Sequence, residues 1–182
     1  MPQDKVLLES AILVVRWQRG DREALAGIVR LWERSLFYYL RRLAPTESDA
    51  WECLQETWLK VVRSLKSLRD PQTFPAYLYR IARNTAITRF RRTELLNFDP
   101  QQVCDERAPD PLSGLENAEL VHRTLDQMPL LQREVLTLFF LQELSLDQMS
   151  VLLGVPVGTV KSRLFYAKQA MRELLTQGDH HG

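Results

Sequence analysis

The sequence predicts an all-α protein built from two small helical domains. Hydrophobic residues recur at helical spacing through most of the 182 residues, no segment alternates as a half-buried strand does, and there are only 7 glycines. The stretch 93–114 interrupts the helical pattern, because it is acidic and rich in proline. We therefore expect helical domains at 1–92 and 115–182, joined by a flexible acidic linker at 93–114.

The first domain has the pattern of four helices, which we place near 6–18, 21–43, 48–68 and 74–92. The breaks between them fall at 20–21, 44–46 and 69–73, where glycine, proline and aspartate occur. Short polar side chains at these breaks can accept hydrogen bonds from the first free amides of the following helix. The expected N-caps are Asp21, Thr46 or Ser48, and Thr73.

The predicted helix at 74–92 has two distinct faces. One face is expected to be buried and consists of Phe74, Leu78, Ile81, Ala82 and Thr85. The other combines an aromatic ring with cations and an amide: Tyr77, Arg80, Asn84, Thr88 and Arg91. Such a face suits a displaced DNA strand, because a ring can stack on an unpaired base while arginine binds phosphate. A solvated helix face would show the same stripe, so the stripe alone leaves both interpretations open.

The second domain also has the pattern of four helices, near 115–127, 130–142, 146–153 and 158–176. The last two are separated by a short turn, which is the pattern of a helix-turn-helix. Ser145 can cap the first of this pair, Gly154 can end it in a left-handed conformation, and Pro156 prevents its continuation.

The last predicted helix also has two faces. The expected buried residues are Val160, Leu164, Ala167, Met171 and Leu174. The opposite face carries Lys161, Ser162, Phe165, Lys168, Gln169 and Arg172. Lysine and serine can hydrogen-bond to base edges, phenylalanine can touch a thymine methyl, and further cations suit phosphates. A solvated amphipathic helix would also show this stripe, but the turn at 154–156 favours a reader of the DNA major groove.

The distribution of charge also favours nucleic acid. The net charge is only +1, but residues 1–92 carry 17 Lys and Arg against 10 Asp and Glu. Residues 93–118 carry 1 against 6, and residues 119–182 carry 6 against 7. A basic first domain, an acidic joint and a second domain with several cations on one helix indicate two nucleic-acid contacts.

Composition argues against several other classes of protein. There is no apolar run of membrane-spanning length and no signal peptide pattern, so we expect a cytoplasmic protein without membrane insertion. Cys53 and Cys104 are far apart and the three histidines have no zinc-site spacing, so no metal or cofactor is expected. We see no nucleophile-base pair and no phosphate-binding glycine loop, so an enzyme is not expected.

Four strings, in this order, resemble the extracytoplasmic-function group of bacterial sigma factors. They are DAWECLQETW at 49–58, FPAYLYRIARNTA at 74–86, LLQREV at 130–135 and GVPVGTVKSR at 154–163. The resemblance covers about residues 8–92 and 115–176. It implies the second and fourth sigma domains alone. Trp51 stands where the group usually has a small or charged residue, and Val62 where an aromatic is common.

This resemblance implies a role for each candidate residue. Core RNA polymerase would be bound by Asp49, Leu54, Gln55, Glu56, Trp58 and Leu59, of which Leu54 and Trp58 could equally be core residues. The melted strand of the minus-ten element would be bound by Asp70, Gln72, Thr73, Phe74, Tyr77, Arg80, Asn84 and Thr88. The minus-thirty-five element would be bound by Thr159, Lys161, Ser162, Arg163, Phe165 and Lys168. In this set, Arg163 and Lys168 would contact phosphates or brace the turn.

The partners implied by the resemblance are core RNA polymerase and promoter DNA. The acidic linker would run toward the RNA exit path of the polymerase, although a solvated tether fits its composition equally well. Members of this group are often held by an anti-sigma factor, and no residue here identifies one. No heptad seam is present, so a monomer is expected when the chain is free. The alternative function is a helix-turn-helix regulator that binds duplex DNA as a dimer, which would need a dimerisation surface.

Overall fold

The computed structural model describes residues 2–90 and 118–178, and every regular element in these two ranges is helical. The all-α prediction is therefore confirmed for the described residues. The chain divides into two compact units, Met1–Arg91 and Arg92–Gly182. The predicted linker at 93–114 lies outside the described residues.

The first unit contains four α-helices and two short 3-10 turns. The helices are α1 Pro2–Gln18, α2 Glu23–Leu43, α3 Glu47–Ser64 and α4 Phe74–Phe90, and the turns are Leu65–Ser67 and Pro71–Thr73. The predicted bounds are close except at the start of α1, which lies four residues earlier than expected, and at the end of α3. That helix was expected to reach residue 68 but ends at Ser64, because the chain tightens there into a 3-10 turn.

Two of the predicted caps in this unit form at helix starts. The hydroxyl of Thr46 accepts a hydrogen bond from the amide of Asp49 at 3.1 Å, at the start of α3. The carboxylate of Asp21 accepts one from the amide of Glu23 at 3.0 Å, at the start of α2. Asp21 also pairs with Arg16 at 2.6 Å, and the hydrogen bond from Arg16 keeps the pKa of Asp21 below its ordinary value. The two contacts of Asp21 fix the turn between α1 and α2.

An aromatic cluster lies in the core of the first unit. The ring of Trp32 on α2 meets the rings of Phe74 and Tyr79 on α4 edge to face, each at 6.2 Å between centroids. Tyr39 meets Tyr79 in the same way at 5.2 Å. Burial raises the pKa of the Tyr79 hydroxyl. Because edge-to-face pairs are favourable beyond their burial, this cluster sets the position of α4 against α2.

The second unit contains four α-helices and one π-helical turn. The helices are α5 Ala118–Gln127, α6 Leu130–Leu136, α7 Leu146–Leu153 and α8 Val157–Gly178, and the π-turn is Thr137–Leu141. The sequence predicted one continuous α-helix at 130–142, which is wrong in its last part. The amide of Gln142 bonds the carbonyl of Thr137 at 3.0 Å, five residues back, so the chain widens there.

The helix-turn-helix forms as the sequence predicts. Ser145 and Gln148 make a reciprocal capping box at the start of α7. Gly154 ends α7 with φ of 69°, in the left-handed region that glycine adopts at little cost. Helix α8 then starts directly after Pro156. The buried residues of α8 are Val160, Arg163, Leu164, Ala167, Lys168, Met171 and Leu175.

Candidate nucleic-acid and polymerase interfaces

Helix α8 leaves a polar face accessible at its N-terminal half. Thr159, Lys161, Ser162 and Phe165 are half-buried, and Gln169 and Arg172 further along are exposed. The hydroxyl of Ser162 donates a hydrogen bond to the carbonyl of Gly158 at 3.1 Å, which leaves its oxygen lone pairs as acceptors. These side chains follow a tight turn at the start of a long helix. This is the geometry by which a helix-turn-helix reads base edges.

Two candidates on α8 do not lie on that accessible face. Lys168 is only 9% exposed, and its ammonium nitrogen lies 5.0 Å from the ring centroids of both Phe139 and Phe140. The prediction that Lys168 belongs to the exposed stripe is therefore wrong. Helical spacing alone could not show that the preceding π-turn would bring two aromatic rings to this position. Arg163 is also buried, at 8% exposure, so it too lies off the accessible face of α8.

Helix α4 presents the predicted stripe along one side. Arg80, Asn84 and Thr88 are exposed. Tyr77 is half-buried, and its hydroxyl shares a short hydrogen bond with the hydroxyl of Ser64. The tyrosine ring is thus held at one edge while part of it stays accessible. Arg91, the last member of the predicted stripe, lies outside the described residues.

The segment 65–73, which connects α3 to α4, leads into this stripe. We call it the α3–α4 connection. Asp70, Gln72 and Thr73 are exposed on it. The carboxylate of Asp70 accepts a hydrogen bond from the amide of Gln72 at 2.9 Å, and the hydroxyl of Thr73 donates to the carbonyl of Asp70 at 2.7 Å. Asp70 is therefore the residue that caps the turn Pro71–Thr73, and the Thr73 hydroxyl donates within that turn.

Phe74 must be removed from the set of strand-binding candidates. Its side chain is 0% exposed and its ring packs against Trp32. The sequence placed Phe74 both on the buried face of its helix and in the binding loop, and the structure agrees only with the first. Its contribution is to anchor the end of the α3–α4 connection in the core.

Helix α3 separates its candidates into buried and exposed groups. Gln55 is exposed and Leu59 is 59% exposed, which is high for a leucine. Glu56 is half-buried and pairs with Lys60 at 2.8 Å and with Arg89 of α4 at 3.7 Å. Gln55, Glu56 and Leu59 form an accessible strip on one side of the first unit.

The other three candidates on α3 are Leu54, Trp58 and Asp49. Leu54 is only 2% exposed, so it is a core residue and not a polymerase contact. Trp58 is half-buried, and its indole N–H has no acceptor among the described residues. The carboxylate of Asp49 accepts a hydrogen bond from the Thr46 hydroxyl at 2.6 Å, and the Asp49 amide donates one to that hydroxyl at 3.1 Å. The structure thus gives Asp49 a capping role.

Sequence reasoning attached no function to Trp51 beyond its unusual position. It is 44% exposed, and its ring stacks on Phe37 of α2 at 4.1 Å between centroids. Trp51, Gln55 and Leu59 are four residues apart in succession, so they fall within about 80° of one another on α3. A tryptophan eight residues before a leucine, with Gln55 midway between them, was the signal available in the sequence.

Two observations bear on metal and thiol chemistry in the described parts of the chain. Across residues 2–90 and 118–178 no three His, Cys, Asp or Glu side chains are grouped so that they could hold a metal ion. Burial raises the pKa of the Cys53 thiol to about 11, so the thiol stays protonated at neutral pH. None of the described helices is long and apolar enough to cross a membrane.

The two units match two parts of one protein family. Sigma-70 region 2 matches residues 28–95, and sigma-70 region 4 matches residues 118–171. The chain is 30% identical over 178 residues to the ECF RNA polymerase sigma-E factor of Salmonella typhimurium strain LT2, a match that covers 90% of this chain and 93% of the relative. This chain belongs to the ECF RNA polymerase sigma factors. The sigma factor SigW of Bacillus subtilis is 29% identical over 172 residues, covering 87% and 92% of the two chains.

Solved structures show that this sigma factor shares its fold with other proteins. CnrH, in complex with the cytosolic domain of CnrY, matches with a TM-score of 0.68 and 24% identity, over 93% of this chain and 98% of that chain. The sigma factor RpoE of Bartonella quintana, in complex with the anti-sigma factor NepR, matches with a TM-score of 0.64 and 22% identity. That match covers 83% of this chain and 96% of that chain.

The family matches contain every residue to which the resemblance assigns a role. The region 2 match spans the candidates on α3, on the α3–α4 connection and on α4, and the region 4 match spans those on α8. The region 2 match begins at Ile28, within α2. Helix α1 therefore precedes the matched segment, although it packs against α2 and against the turn Pro71–Thr73.

Proposed function

We propose that this sigma factor binds core RNA polymerase and directs initiation of transcription at promoters that carry two recognition elements. The observation that carries the proposal is the pair of accessible polar faces, one on α4 in the region 2 match and one on α8 in the region 4 match. The protein acts by binding, as a transcription initiation factor, and the catalytic chemistry belongs to the polymerase. Its place of action is accordingly the cytoplasm.

Helix α8 reads the minus-thirty-five element in this proposal. Lys161 can donate to guanine acceptors, Ser162 can pair with several base edges, and Phe165 can contact a thymine methyl. Thr159 lies at the first turn of the helix, where backbone amides and a hydroxyl suit a phosphate. A good bidentate base contact provides about 1–3 kcal/mol of discrimination, so this helix alone gives limited specificity. The second element must supply the rest.

The minus-ten element is bound as an unpaired strand by α4 and the α3–α4 connection. Tyr77 offers part of its ring for stacking, and Arg80 supplies a cation for the backbone. Asn84 can pair with the edge of an unstacked base through its amide. Asp70 and Gln72 on the connection are exposed and can contact a base that leaves the stack. Holding the strand in this way favours the open promoter complex.

Core RNA polymerase is bound mainly through the accessible strip of α3. Gln55 and Leu59 are the principal contacts, and Glu56 supplies charge at the edge of the strip. An exposed leucine beside polar residues has the composition of a small interface centre with a polar rim. Trp58 is half-buried beside them, and the accessible part of its ring can add apolar contact to this interface.

The two units act together through the chain between them. Two weak contacts on one molecule bind more tightly than either alone, because the second contact forms at a high effective concentration. We accordingly propose domains at 1–92 and 115–182 with the acidic segment 93–114 as their tether. We also propose an anti-sigma factor as a regulatory partner, since the sigma factor RpoE of Bartonella quintana has been solved in complex with one. Such a partner would occlude the polymerase and DNA faces.

In vitro transcription tests the proposed function. Core RNA polymerase is incubated with a pool of promoter fragments, with and without this protein, and the start sites are read from the products. New initiation at fragments that share two short elements at fixed spacing is the expected result. Absence of initiation, together with tight binding of the protein alone to duplex DNA, would instead establish a stand-alone helix-turn-helix regulator.

A further inference from the structure

The last residue of α1, Gln18, is hydrogen-bonded to the α3–α4 connection. The side-chain amide nitrogen of Gln18 donates to the carbonyl of Leu68 at 2.7 Å and to the carbonyl of Leu65 at 3.2 Å. An amide group carries two hydrogens, so it can serve both acceptors at once. Both carbonyls lie just beyond the end of α3, outside the hydrogen-bond ladder of that helix. Gln18 bonds both of them, in addition to the hydrogen bond that the Leu65 carbonyl accepts from the amide of Leu68.

The two hydrogen bonds from Gln18 fix one end of the α3–α4 connection. Leu65 is fully buried, and the amide of Leu68 returns to the carbonyl of Leu65 at 3.2 Å. Asp70 follows two residues later and begins the turn Pro71–Thr73. Asp70 accepts hydrogen bonds from Gln72 and Thr73 within this turn, and α1 packs against it. The other end is fixed by the buried ring of Phe74. The backbone is therefore anchored on both sides of the exposed residues at 70, 72 and 73.

We propose that Gln18 is a positioning residue for recognition of the minus-ten element. It holds the backbone from which Asp70 and Gln72 project, so that these side chains meet an unpaired base in one geometry. A loop held in its binding geometry before contact loses less conformational entropy on binding, and it rejects a base that requires another geometry. The inference rests on the proposed function, in which the α3–α4 connection binds the melted strand.

Gln18 lies outside the segment that matches sigma-70 region 2, which starts at residue 28. The proposal thus assigns part of the base discrimination to α1. This assignment differs from a purely structural role in one measurable respect. A structural residue affects opening of all promoters alike, whereas a positioning residue changes the preference between two promoters that differ at one minus-ten base.

The experiment measures promoter opening by the complete holoenzyme on two templates that differ at a single minus-ten position. Gln18→Leu keeps the approximate size and removes the donor, while Gln18→Glu places a carboxylate opposite two carbonyls. We expect the ratio of opening rates between the templates to fall about five-fold in Gln18→Leu, the factor that corresponds to one net hydrogen bond, and further in Gln18→Glu. Gln18→Lys restores donors and should recover part of the ratio. The charge that lysine adds affects the opening of both templates equally, so it leaves their ratio unchanged.

Two control variants make the outcome decisive. Glu9→Gln changes an exposed residue of the same helix and should leave the ratio unchanged. Gln72→Ala changes the connection itself and should lower the ratio. If Gln72→Ala lowers the ratio and Gln18→Leu leaves it unchanged, the inference fails while the proposed function stands. If neither changes the ratio on templates that the wild type opens, the binding role of the connection fails and the inference with it.

Thermal unfolding of each variant completes the test. A lower melting temperature for Gln18→Leu with equal loss of opening on both templates would overturn the inference, because that result describes a structural residue. An unchanged melting temperature with a changed ratio supports it. A lowered melting temperature with a changed ratio also supports it, because instability alone affects both templates alike.

Discussion

Lys161 and Lys168 lie on the same helix but have different surroundings. Lys161 is half-buried on the accessible face of α8, whereas Lys168 is 9% exposed beneath two phenylalanine rings. A lysine can cover apolar surface with its stem and place its ammonium over aromatic faces. Two residues of one type on one helix therefore differ in surroundings, with Lys161 proposed as a DNA contact and Lys168 packed inside its unit.

Substitution of the two lysines should separate these purposes. Lys161→Ala removes a proposed DNA contact, and the slope of log binding constant against log salt should become smaller by about 1. Lys168→Met keeps the stem but removes the cation, so it should leave the slope unchanged and lower the free energy of unfolding by about 1 kcal/mol. Holoenzyme binding to a promoter fragment across a salt series, with thermal unfolding, checks both. A smaller slope for Lys168→Met would show a phosphate contact.

At the scale of elements, α3 has a buried side and an accessible side that lie close together in sequence. Leu54 packs in the core, and Leu59, five residues later, is exposed. Because five residues advance a helix by about 500°, the two leucines point about 140° apart. The same residue type on one helix thus supports folding at one position and is available for a partner at the other.

This difference gives a prediction for the two leucines. Leu54→Ala should destabilise the protein by about 2–5 kcal/mol, because it opens a cavity in a packed core. Leu59→Ala should leave the free energy of unfolding nearly unchanged and weaken binding to core polymerase by more than about 1 kcal/mol. Chemical denaturation and a binding titration measure the two effects. Normal polymerase binding by Leu59→Ala would remove this residue from the interface.

Helix α4 gives a second prediction at this scale. Asn84→Ala should slow promoter opening about five-fold, the effect of one net hydrogen bond, with little change in closed-complex formation. The reason is that, in the proposed function, the exposed face of α4 contacts the strand only after it is unpaired. Permanganate reactivity of thymines in the minus-ten region measures opening, and Glu33→Gln, an exposed change on α2, serves as the control. A permanganate pattern and rate equal to the wild type would count against the prediction.

For the molecule as a whole, the connection between the units determines how two modest contacts act together. Each unit is compact, and each matches a separate sigma-70 region. Each proposed DNA face consists of a few side chains, so we expect specificity to require that both faces engage one promoter while bound to polymerase. Binding of the free protein to duplex DNA should accordingly be weak.

Cutting the chain between the units should reveal this dependence. A protease site inserted at 93–114 allows the purified protein to be cleaved while both halves remain present. Initiation should fall by about 10² or more after cleavage, because the second contact no longer benefits from tethering. The uncut insertion variant is the control and should initiate as the wild type does. Full activity after complete cleavage would show that polymerase alone organises the two halves.

Local patterns predicted much of this molecule, and contacts between distant residues limited the rest. The cap at Ser145 and the left-handed end at Gly154 depend on neighbours in sequence, and both were predicted correctly. Lys168 was misplaced because its surroundings depend on the π-turn that ends the earlier helix, a feature that periodicity does not show. The role of Gln18 was missed for the same reason, since its acceptors lie about fifty residues away.

That separation has a consequence for the order in which the first unit is made. Helices next to one another in the chain pack together, α1 with α2, α2 with α3 and α3 with α4, so each pair can form soon after it leaves the ribosome. The bonds from Gln18 span 47 and 50 residues. At about 5–20 residues per second, Leu68 is synthesised roughly 3–10 s after Gln18. The α3–α4 connection therefore reaches its final form late, when synthesis of the first unit is already well advanced.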